Sequence, residues 1–425
     1  MMERNGEKWS IPITKPSIGA EEAEAAGAVI RSGWLSQGPK VKEFEERFAG
    51  WVNAPHACAV SSCTTALHLA FLVAGVRPGD VVLTVSHSFI ATANSIRYCG
   101  AEPVFIDVDR RTCNMDMRLL EQCVEEHCTR RNGTTLYNRE IDRAGRGPAS
   151  MAFPARVGAI CVVHQMGFPC DVGFASALAA RLGIPLIEDA ACAIGSELST
   201  DNGATWKKVG APHGDIACFS FHPRKVITTG EGGMLTTAKS RYDRQFRLLR
   251  QHAMSVPDTV RHGAKKVIFE EYGEIGFNYR MSDIQAAVGI EQIGRLDVLL
   301  EQRRKRADRY HRLLRDSSLV VPYAVLPWMR PNWQSYPVFI ADTVALSQKE
   351  IMQRLLDDGI STRRGIMNAH QEQAYGLRRG LLPQSEYARD HTLLLPLYPS
   401  MTDEEQDAVV SALNACAHER PGTTR

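Results

Sequence analysis

The sequence predicts an α/β protein whose core is a mainly parallel β-sheet covered by helices on both faces. From about Ala57 onward, short apolar runs such as VVLTV and IACFS alternate with stretches whose apolar residues recur at helical spacing. The apolar runs contain almost no polar residues, which is typical of parallel strands that are buried on both faces. At 425 residues, the chain is long enough for a large domain and a smaller one.

Seven strands are predicted in the large domain, and in chain order they are HACAV, VVLTV, EPVFIDV, VGAICVV, IPLIED, IACFSF and GGMLTT. We assign residues 1–281 to an N-terminal segment and this large domain. Residues 282–319, which begin SDIQAAVGIEQ, predict a long connecting helix because their apolar positions recur at helical spacing. Residues 320–425 predict a small C-terminal α+β domain, with a strand in SYPVFIA between helical stretches.

One segment of the large domain, residues 129–155, interrupts the alternation of strands and helices. It is polar, rich in Arg and Gly, and has no clean period. Such a sequence is compatible with an exposed insertion and also with a loop near the substrate.

Composition excludes several classes of function. Fifty basic and 48 acidic residues give a net charge of +2 without a long basic run, so neither nucleic acid nor a membrane surface is indicated as a partner. The N-terminus lacks the apolar core of a signal peptide, and a cytoplasmic location is predicted. The 11 cysteines include no CxxC pair, and we therefore expect buried thiols and no metal site.

The first predicted strand-to-helix junction, VSSCTTALHLA, places Ser62, Cys63 and Thr64 at the start of a helix. Free backbone N–H groups and hydroxyls converge at such a position, where the helix dipole favours an anion. Ser and Thr are also common as plain helix caps, so this motif alone leaves both interpretations open.

A second candidate lies where the strand IPLIED ends in Glu188 and Asp189, because open α/β sheets bind ligands at the carboxyl ends of their strands. The Asp189 carboxylate could pair with a buried cationic group of a ligand or cap the next turn. Ala190 and Ala191 follow, and their small side chains would allow a flat ring to lie against the backbone.

Lys225 is the third candidate, in a segment that joins the strand ending at Ser220 to the glycine-rich TTGEGG. Lysine is usually a solvated surface residue, but here two apolar strands flank it and the glycines permit close approach of the backbone. Neither GxxxxGK[ST] nor GxGxxG occurs in the expected context, so the common nucleotide-binding motifs are not indicated.

Four features together suit pyridoxal 5'-phosphate better than any other cofactor. They are the helix start at residues 62–64 as a phosphate-binding position, the Asp189 carboxylate at a strand end, Ser220 and Lys225. The aldehyde of this cofactor needs a lysine amine, its ring nitrogen needs a carboxylate, and its phosphate needs N–H and hydroxyl donors. The sequence therefore predicts that Lys225 forms a Schiff base with pyridoxal phosphate.

Motifs along nearly the whole chain resemble the DegT/DnrJ/EryC1/StrS family of PLP-dependent sugar aminotransferases, which have the aspartate aminotransferase-like fold type I. The matching motifs, in order, are SGWLSQGPKVKEFEERFA, SSCTTALHLA, SFIATANSI, AEPVFIDVD, VHQMGFPCD, EDAA, GDIACFSFHPRK, TGEGGM, GFNYRMSDIQAAVG and LPLYP. The resemblance implies transfer of an amino group from L-glutamate to a keto group of a nucleotide-linked deoxysugar. Pyridoxamine 5'-phosphate would carry the amino group between the two half-reactions.

The resemblance also implies roles for individual residues. Lys225 matches the lysine that forms the Schiff base and moves the proton between the substrate Cα and the cofactor C4', and Asp189 matches the partner of the ring nitrogen. Thr64, Thr65 and Ser220 match phosphate-binding positions.

Around the ring, Phe89 matches the aromatic residue that stacks on one face, and Ala191 lies near the other. Asn278 in GFNYRM is similar to a residue that the family contributes from the neighbouring subunit, which implies a homodimer with composite active sites. His164 in VVHQMG also falls in a family motif near the site, where a structural role at the strand end is equally compatible.

Cys192 departs from the family pattern, because the motif often reads EDAAQ or EDAAH with the polar residue close to the cofactor's phenolic oxygen. A thiol is a weak hydrogen-bond donor. We therefore expect water or another side chain to contact this oxygen.

Substrate-binding residues are harder to predict. Trp34 in SGWLSQGP could border the substrate pocket or serve packing, and Arg363, Arg364 and His370 could contact a nucleotide diphosphate or form a solvated turn.

Alternative functions also follow from the resemblance. One is amination of a keto-cyclitol or another keto substrate without a nucleotide. A PMP-dependent sugar dehydratase is disfavoured, since a histidine replaces the lysine in those relatives and this chain has Lys225. A PLP-binding regulator without turnover is disfavoured by the intact set of Lys225, Asp189 and Ser220.

Overall fold

The computed structural model of the chain describes residues 3–4, 7–8, 10–140, 152–201, 203–256, 267–376 and 379–418. Its helices are α1 (Ala20–Ser32), α2 (Pro39–Val52), α3 (Cys63–Ala74), α4 (Ile90–Tyr98), α5 (Met117–His127), α6 (Val172–Leu182), α7 (Ser240–Leu249), α8 (Asp283–Gly294), α9 (Leu296–Leu313), α10 (Gln348–Asp357), α11 (Pro383–His391) and α12 (Asp403–His418).

The strands are short and more numerous than the helices. They are β1 (Glu3–Arg4), β2 (Glu7–Lys8), β3 (His56–Val60), β4 (Val81–Val85), β5 (Glu102–Ile106), β6 (Cys128–Arg131), β7 (Thr134–Tyr137), β8 (Ala155–Val163), β9 (Leu186–Asp189), β10 (Glu197–Leu198), β11 (Lys207–Lys208), β12 (Ile216–Ser220), β13 (Gly233–Thr237), β14 (Val320–Pro322), β15 (Met329–Arg330), β16 (Tyr336–Ile340), β17 (Arg363–Arg364) and β18 (Thr392–Leu395).

The central sheet confirms the predicted mainly parallel arrangement of seven strands. Their order is β3-β13-β12-β9-β8-β4-β5, and β13 runs antiparallel to both of its neighbours while the other pairs are parallel. Along β4, Val81, Leu83 and Val85 pack into one apolar core and Val82 packs into another. Successive side chains of a strand point to opposite faces, so the two cores lie on opposite sides of the sheet.

The register of this sheet brings three strand ends together. Val163 at the end of β8 pairs with Asp189 at the end of β9, which in turn pairs with Cys218 near the end of β12. Because the three strands are parallel, His164, Asp189 and Ser220 lie at the same edge of the sheet.

The interruption at 129–155 begins with a β-hairpin that the sequence did not predict. Strands β6 and β7 pair with each other, and β7 pairs with the start of β8 through Leu136–Arg156 and Tyr137–Ala155. This hairpin therefore lies at the end of β8 that is remote from His164, away from the predicted site. Residues 141–151 of the insertion lie outside the described residues.

Residues 282–319 contain two helices, α8 and α9, where the sequence predicts one long helix. The break is at Arg295, whose backbone angles (φ −106°, ψ 2°) are not helical. Gly294 precedes the break, and glycine is the second-weakest helix former. At the break, the side chain of Arg295 donates to the Ser17 carbonyl and to the buried Glu22 carboxylate.

The C-terminal part of the chain has a sheet and a core of its own. Strands β14-β16-β18-β17 form an antiparallel sheet, and α10 and α12 pack in the same apolar cluster, which includes Ile351 and Leu413. This agrees with the expected small α+β domain, and the exact domain limits remain a prediction. Over the ranges given above, none of the helices is both long and apolar enough to cross a membrane.

Candidate active site

A cavity of about 690 Å³ opens at the carboxyl edge of the central sheet and extends to β17 of the small C-terminal sheet. Most of the predicted site residues line it. These are Ser62, Cys63, Thr64, Phe89, His164, Asp189, Ala191, Cys192, Ser220, Lys225 and Arg363. Four others, Thr65, Trp34, Asn278 and His370, are not among the lining residues.

Asp189 presents a buried carboxylate at the floor of the cavity, with 5% of its surface exposed. Its Oδ2 accepts a hydrogen bond of 2.7 Å from the Thr92 hydroxyl, and its Oδ1 accepts one of 3.1 Å from the Ala191 N–H. Within the described ranges, no ion pair forms to this carboxylate. A buried carboxylate that lacks a cation is costly, so the site is electrostatically suited to a cationic group of a ligand.

The start of α3, where the sequence predicts an anion-binding position, lines the cavity. The Ser62 hydroxyl caps the helix by accepting the Thr65 N–H at 3.2 Å, and the Thr65 hydroxyl accepts the Ser62 N–H at 3.1 Å. The N–H groups of Cys63 and Thr64, in the first turn, have no intrahelical acceptor and point beyond the helix end. Thr65 is therefore a capping residue, and residues 62–64 are left as candidate donors to an anion.

Close packing joins this helix end to the strand that carries Ser220. Ser220 pairs with Gly233 of β13, and a Cβ atom added at Gly233 would lie 2.4 Å from the Ser62 carbonyl oxygen. Only glycine permits this approach. The Ser220 hydroxyl and the start of α3 thus face the cavity side by side.

Lys225 is half-buried, and its Nζ donates a hydrogen bond of 2.9 Å to Cys192 Sγ. Burial alone would lower the pKa of Lys225, but the neighbouring Cys192 sulfur and Asp189 carboxylate raise it above the ordinary lysine value. Cys63 stays a neutral thiol because burial raises its pKa well above the usual range. Cys192 therefore occupies a position next to the predicted reactive amine.

Two predicted ring neighbours lie at the cavity wall. Phe89 precedes α4 and is 64% exposed, although it lines the cavity. Ala191, two residues after Asp189, also lines the cavity, and its small side chain takes up little of the space there. An aromatic side chain this exposed is available to stack on a bound ring or to be covered by another chain.

His164 is a buried structural residue at the strand end. Its Nδ1 accepts the Cys170 N–H at 3.0 Å, and its Nε2–H therefore donates to Glu188 at 3.1 Å. Both ring nitrogens are occupied, which agrees with the structural alternative considered for this residue.

His370 is not among the cavity residues, and because its side chain is buried it fits neither of the two predicted alternatives, a contact with a diphosphate or a solvated turn. The side chain is fully buried, with Nδ1 2.6 Å from the Ser86 hydroxyl and Nε2 3.2 Å from Glu386. Burial lowers the pKa of His370 despite the nearby Glu386 carboxylate. The residue joins the end of β4 to the small C-terminal region.

The segment that carries Trp34 is anchored to α8. Asp283 accepts N–H groups from Gly38 at 2.8 Å and Val41 at 3.0 Å, and the Trp34 indole donates to the Gln37 carbonyl at 3.3 Å. A Cβ atom at Gly38 would lie 2.1 Å from the indole nitrogen. These contacts favour the packing interpretation of Trp34.

In the sequence, Asn278 stands between Phe277 and Tyr279. The rings of these two neighbours stack on each other, with their centroids 4.8 Å apart. The Asn278 backbone pairs with Gln251 in an isolated bridge. Asn278 is not among the residues that line the cavity of its own chain, and its contribution to a neighbouring subunit stays a prediction.

The wall contributed by the C-terminal region is basic. Arg363 and Arg364 of β17 line the cavity together with Arg224, whose pKa is lowered by burial and by the nearby Arg363 guanidinium. As far as the structure describes the chain, none of the three forms an ion pair. Guanidinium groups brought together in this way favour a ligand with concentrated negative charge.

Sequence reasoning missed three residues of the site. Thr92, in SFIATANSI, orients Asp189 through its hydroxyl. The sequence signal for this residue was a second hydroxyl four positions after Ser88, which is about one helical turn. Arg224 directly precedes Lys225. Gln334 donates to the Arg224 carbonyl at 3.2 Å, a contact between distant segments that no local pattern predicts.

The arrangement fits pyridoxal phosphate on structural grounds. An unpaired buried carboxylate, a half-buried amine and an anion seat face one cavity, as the three polar parts of this cofactor require. The described residues include no cluster of three or more side chains suited to a metal ion.

Known proteins share this architecture. The model of the DegT/DnrJ/EryC1/StrS aminotransferase family matches residues 16–414. The chain is 33% identical over 415 residues to the spore coat polysaccharide biosynthesis protein SpsC of Bacillus subtilis strain 168, covering 95% of this chain and 96% of SpsC.

Two solved structures extend the comparison. The aminotransferase TlmJ of Streptoalloteichus hindustanus has a TM-score of 0.79 and 30% identity, with 96% of this chain and 98% of TlmJ covered. The sugar aminotransferase CalS13 of Micromonospora echinospora has a TM-score of 0.77 and 25% identity, with 95% of this chain and 99% of CalS13 covered. The chain therefore belongs to the DegT/DnrJ/EryC1/StrS aminotransferase family and is a PLP-dependent aminotransferase.

Proposed function

We propose that this aminotransferase moves the amino group of L-glutamate to a keto group of a nucleotide-linked deoxysugar. The observation that carries the nucleotide-linked substrate is the basic wall formed by Arg224, Arg363 and Arg364. A diphosphate supplies negative charge and acceptor oxygens that match guanidinium groups. The sugar part of the proposal is supported by the similarity to SpsC, a spore coat polysaccharide biosynthesis protein, and to CalS13, a sugar aminotransferase.

Lys225 and Asp189 are the proposed catalytic residues. When bound, pyridoxal phosphate supplies an electrophilic aldehyde and an electron-accepting ring. Lys225 Nζ would hold the cofactor at its aldehyde carbon and, when free, would take the proton from the α-carbon of the amino donor. Asp189 would accept the N–H of the ring nitrogen, because the Thr92 hydroxyl and the Ala191 N–H keep its carboxylate in place.

The remaining cofactor contacts follow from the cavity lining. We assign the cofactor phosphate to the Ser62 hydroxyl, the N–H groups of Cys63 and Thr64, and the Ser220 hydroxyl. Each of these groups donates a hydrogen bond at the positive end of α3 or directly beside it.

A homodimer is proposed from exposed apolar side chains, one of which, Phe89, lines the cavity. Phe89 (64% exposed), Tyr98 (58%), Phe269 (86%) and Ile275 (89%) leave large apolar side chains uncovered. Such surface marks a protein interface when it forms a patch, and Phe89 and Tyr98 stand at the two ends of α4, as its N-cap and its last residue. In this dimer, Asn278 serves the cofactor phosphate of the neighbouring active site.

The Schiff-base assignment predicts a visible absorption band that borohydride bleaches, with the cofactor then covalently attached to Lys225. Lys225→Ala should abolish both the band and the adduct, because Lys225 is the one lysine among the described residues that line the cavity. Lys207→Ala, which removes an exposed lysine, should change neither. Peptide mass spectrometry identifies the modified residue, and an adduct on another lysine would refute the assignment.

Asp189→Asn should bind pyridoxal phosphate but slow the conversion by L-glutamate by about 10²–10³-fold, since the amide keeps the shape and loses the charge. Stopped-flow absorbance follows this half-reaction without a keto substrate. A variant that converts at the parental rate would exclude Asp189 as the partner of the ring nitrogen.

Arg363→Gln and Arg224→Gln should each raise the KM for a nucleotide-linked ketosugar about tenfold, the effect of one lost charge-assisted hydrogen bond. The half-reaction with L-glutamate should not change. Arg312→Gln, at an exposed arginine outside the cavity, is the matched control. If the same substitutions raise the KM for a keto-cyclitol, which has no diphosphate, by an equal factor, the result would support the keto-cyclitol as the substrate.

Ile275→Asp should produce a monomer in sedimentation experiments and weaken cofactor binding about tenfold, since Asn278 then no longer reaches a neighbouring phosphate. Val321→Asp places the same charge at another exposed apolar position and should leave the dimer intact. If the Ile275→Asp monomer retains full cofactor affinity, the composite site is wrong.

A further inference from the structure

Cys192 and Lys225 bring a thiol and a primary amine into direct contact inside the cavity. Lys225 Nζ lies 2.9 Å from Cys192 Sγ, and both residues line the cavity. Cys192 is half-buried, whereas most cysteines of the described chain are buried. Small molecules that enter the cavity therefore reach this sulfur.

Hydrogen bonds hold the backbones of Cys192 and Lys225 in place. The contact between their side chains therefore starts from two fixed backbone positions. The Cys192 carbonyl accepts the Asn332 side-chain amide at 2.8 Å, and the Lys225 N–H donates to the His222 carbonyl at 2.8 Å. Burial lowers the pKa of Lys225, but the Cys192 sulfur raises it above the ordinary lysine value, so Nζ must first lose a proton to solvent before it can act as a nucleophile.

We propose that Cys192 and Lys225 form an oxidation-sensitive pair, which a peroxide converts into a covalent sulfur–nitrogen bond that blocks the amine. This modification goes beyond transamination. The chemical requirement is a sulfur that an oxidant can reach and a nucleophilic nitrogen at contact distance, and the cavity supplies both.

The chemistry balances in two steps. Hydrogen peroxide first oxidises the Cys192 thiol by two electrons, which gives the sulfenic acid and one water. Lys225 Nζ then attacks Sγ, an S–N bond forms, and the sulfenic hydroxyl leaves with a proton from nitrogen as a second water. Two equivalents of an added thiol reverse the modification, restoring the Cys192 thiol and the amine and producing one disulfide.

The state of the cofactor should control this reaction, and this part rests on the proposed role of Lys225. The amine is engaged when the enzyme holds pyridoxal phosphate and free when it holds the pyridoxamine form or no cofactor. Peroxide should therefore join the pair in the last two states and leave the first unlinked.

The test uses the full chain in three states: without cofactor, with pyridoxal phosphate, and after conversion by L-glutamate. Each is treated with hydrogen peroxide, digested without reductant and analysed by mass spectrometry. We expect a cross-link between the peptides of Cys192 and Lys225 that is lighter than their sum by two hydrogen atoms. When pyridoxal phosphate is added later, the cross-linked protein should not form the visible band. After treatment with dithiothreitol, it should form the band.

Variants separate this contact from general oxidation. Cys192→Ser should abolish the cross-link, and Cys123→Ser, at a half-buried cysteine outside the cavity, should leave it unchanged. In Lys225→Ala, the sulfenic acid has no amine partner and should be trapped at Cys192 by dimedone.

The outcomes distinguish this proposal from the Schiff-base assignment. Oxidation of Cys192 to sulfinic acid without a cross-link in the cofactor-free protein would overturn the proposal, even if borohydride still attaches the cofactor to Lys225. A cross-link that forms equally with and without pyridoxal phosphate would support the pair and refute the role of Lys225.

Discussion

The site depends on the register of three parallel strands. Val163 pairs with Asp189, and Asp189 pairs with Cys218, so the ends of β8, β9 and β12 meet at one edge. A slip of one residue in β9 would turn Asp189 to the opposite face of the sheet. The Thr92 hydroxyl and the Ala191 N–H then complete the position of the carboxylate, and the apolar cores on both faces keep the strands from moving.

Charge is divided between the two halves of the cavity. The large domain contributes the buried Asp189 carboxylate and the positive end of α3, whereas the C-terminal region contributes Arg363 and adjoins Arg224. Such a separation provides different points of one cavity for a cationic group and for anionic groups of its ligands. The positions of these charges in the cavity, taken together, support the proposed binding of both the cofactor and a nucleotide-linked substrate better than any single residue does.

Cys192 shows how one substitution adds chemistry to a shared architecture. The family motif often has glutamine or histidine at this position, and a thiol is a weaker hydrogen-bond donor than either. A thiol is also oxidisable, and the 2.9 Å contact of Cys192 Sγ with Lys225 Nζ makes that property relevant to the amine that we propose as the catalytic group. The proposed oxidation would act on the enzyme only while Lys225 is free.

The sequence by itself determined the α/β class, the seven main strands and the segments that carry Lys225 and Asp189, because apolar periodicity and strand-end polarity are local properties. Only the tertiary structure decided that His370 is buried away from the cavity, that Arg224 lies beside Arg363, and that the helix predicted at 282–319 breaks. These outcomes depend on packing between segments far apart in the chain, which local patterns do not encode.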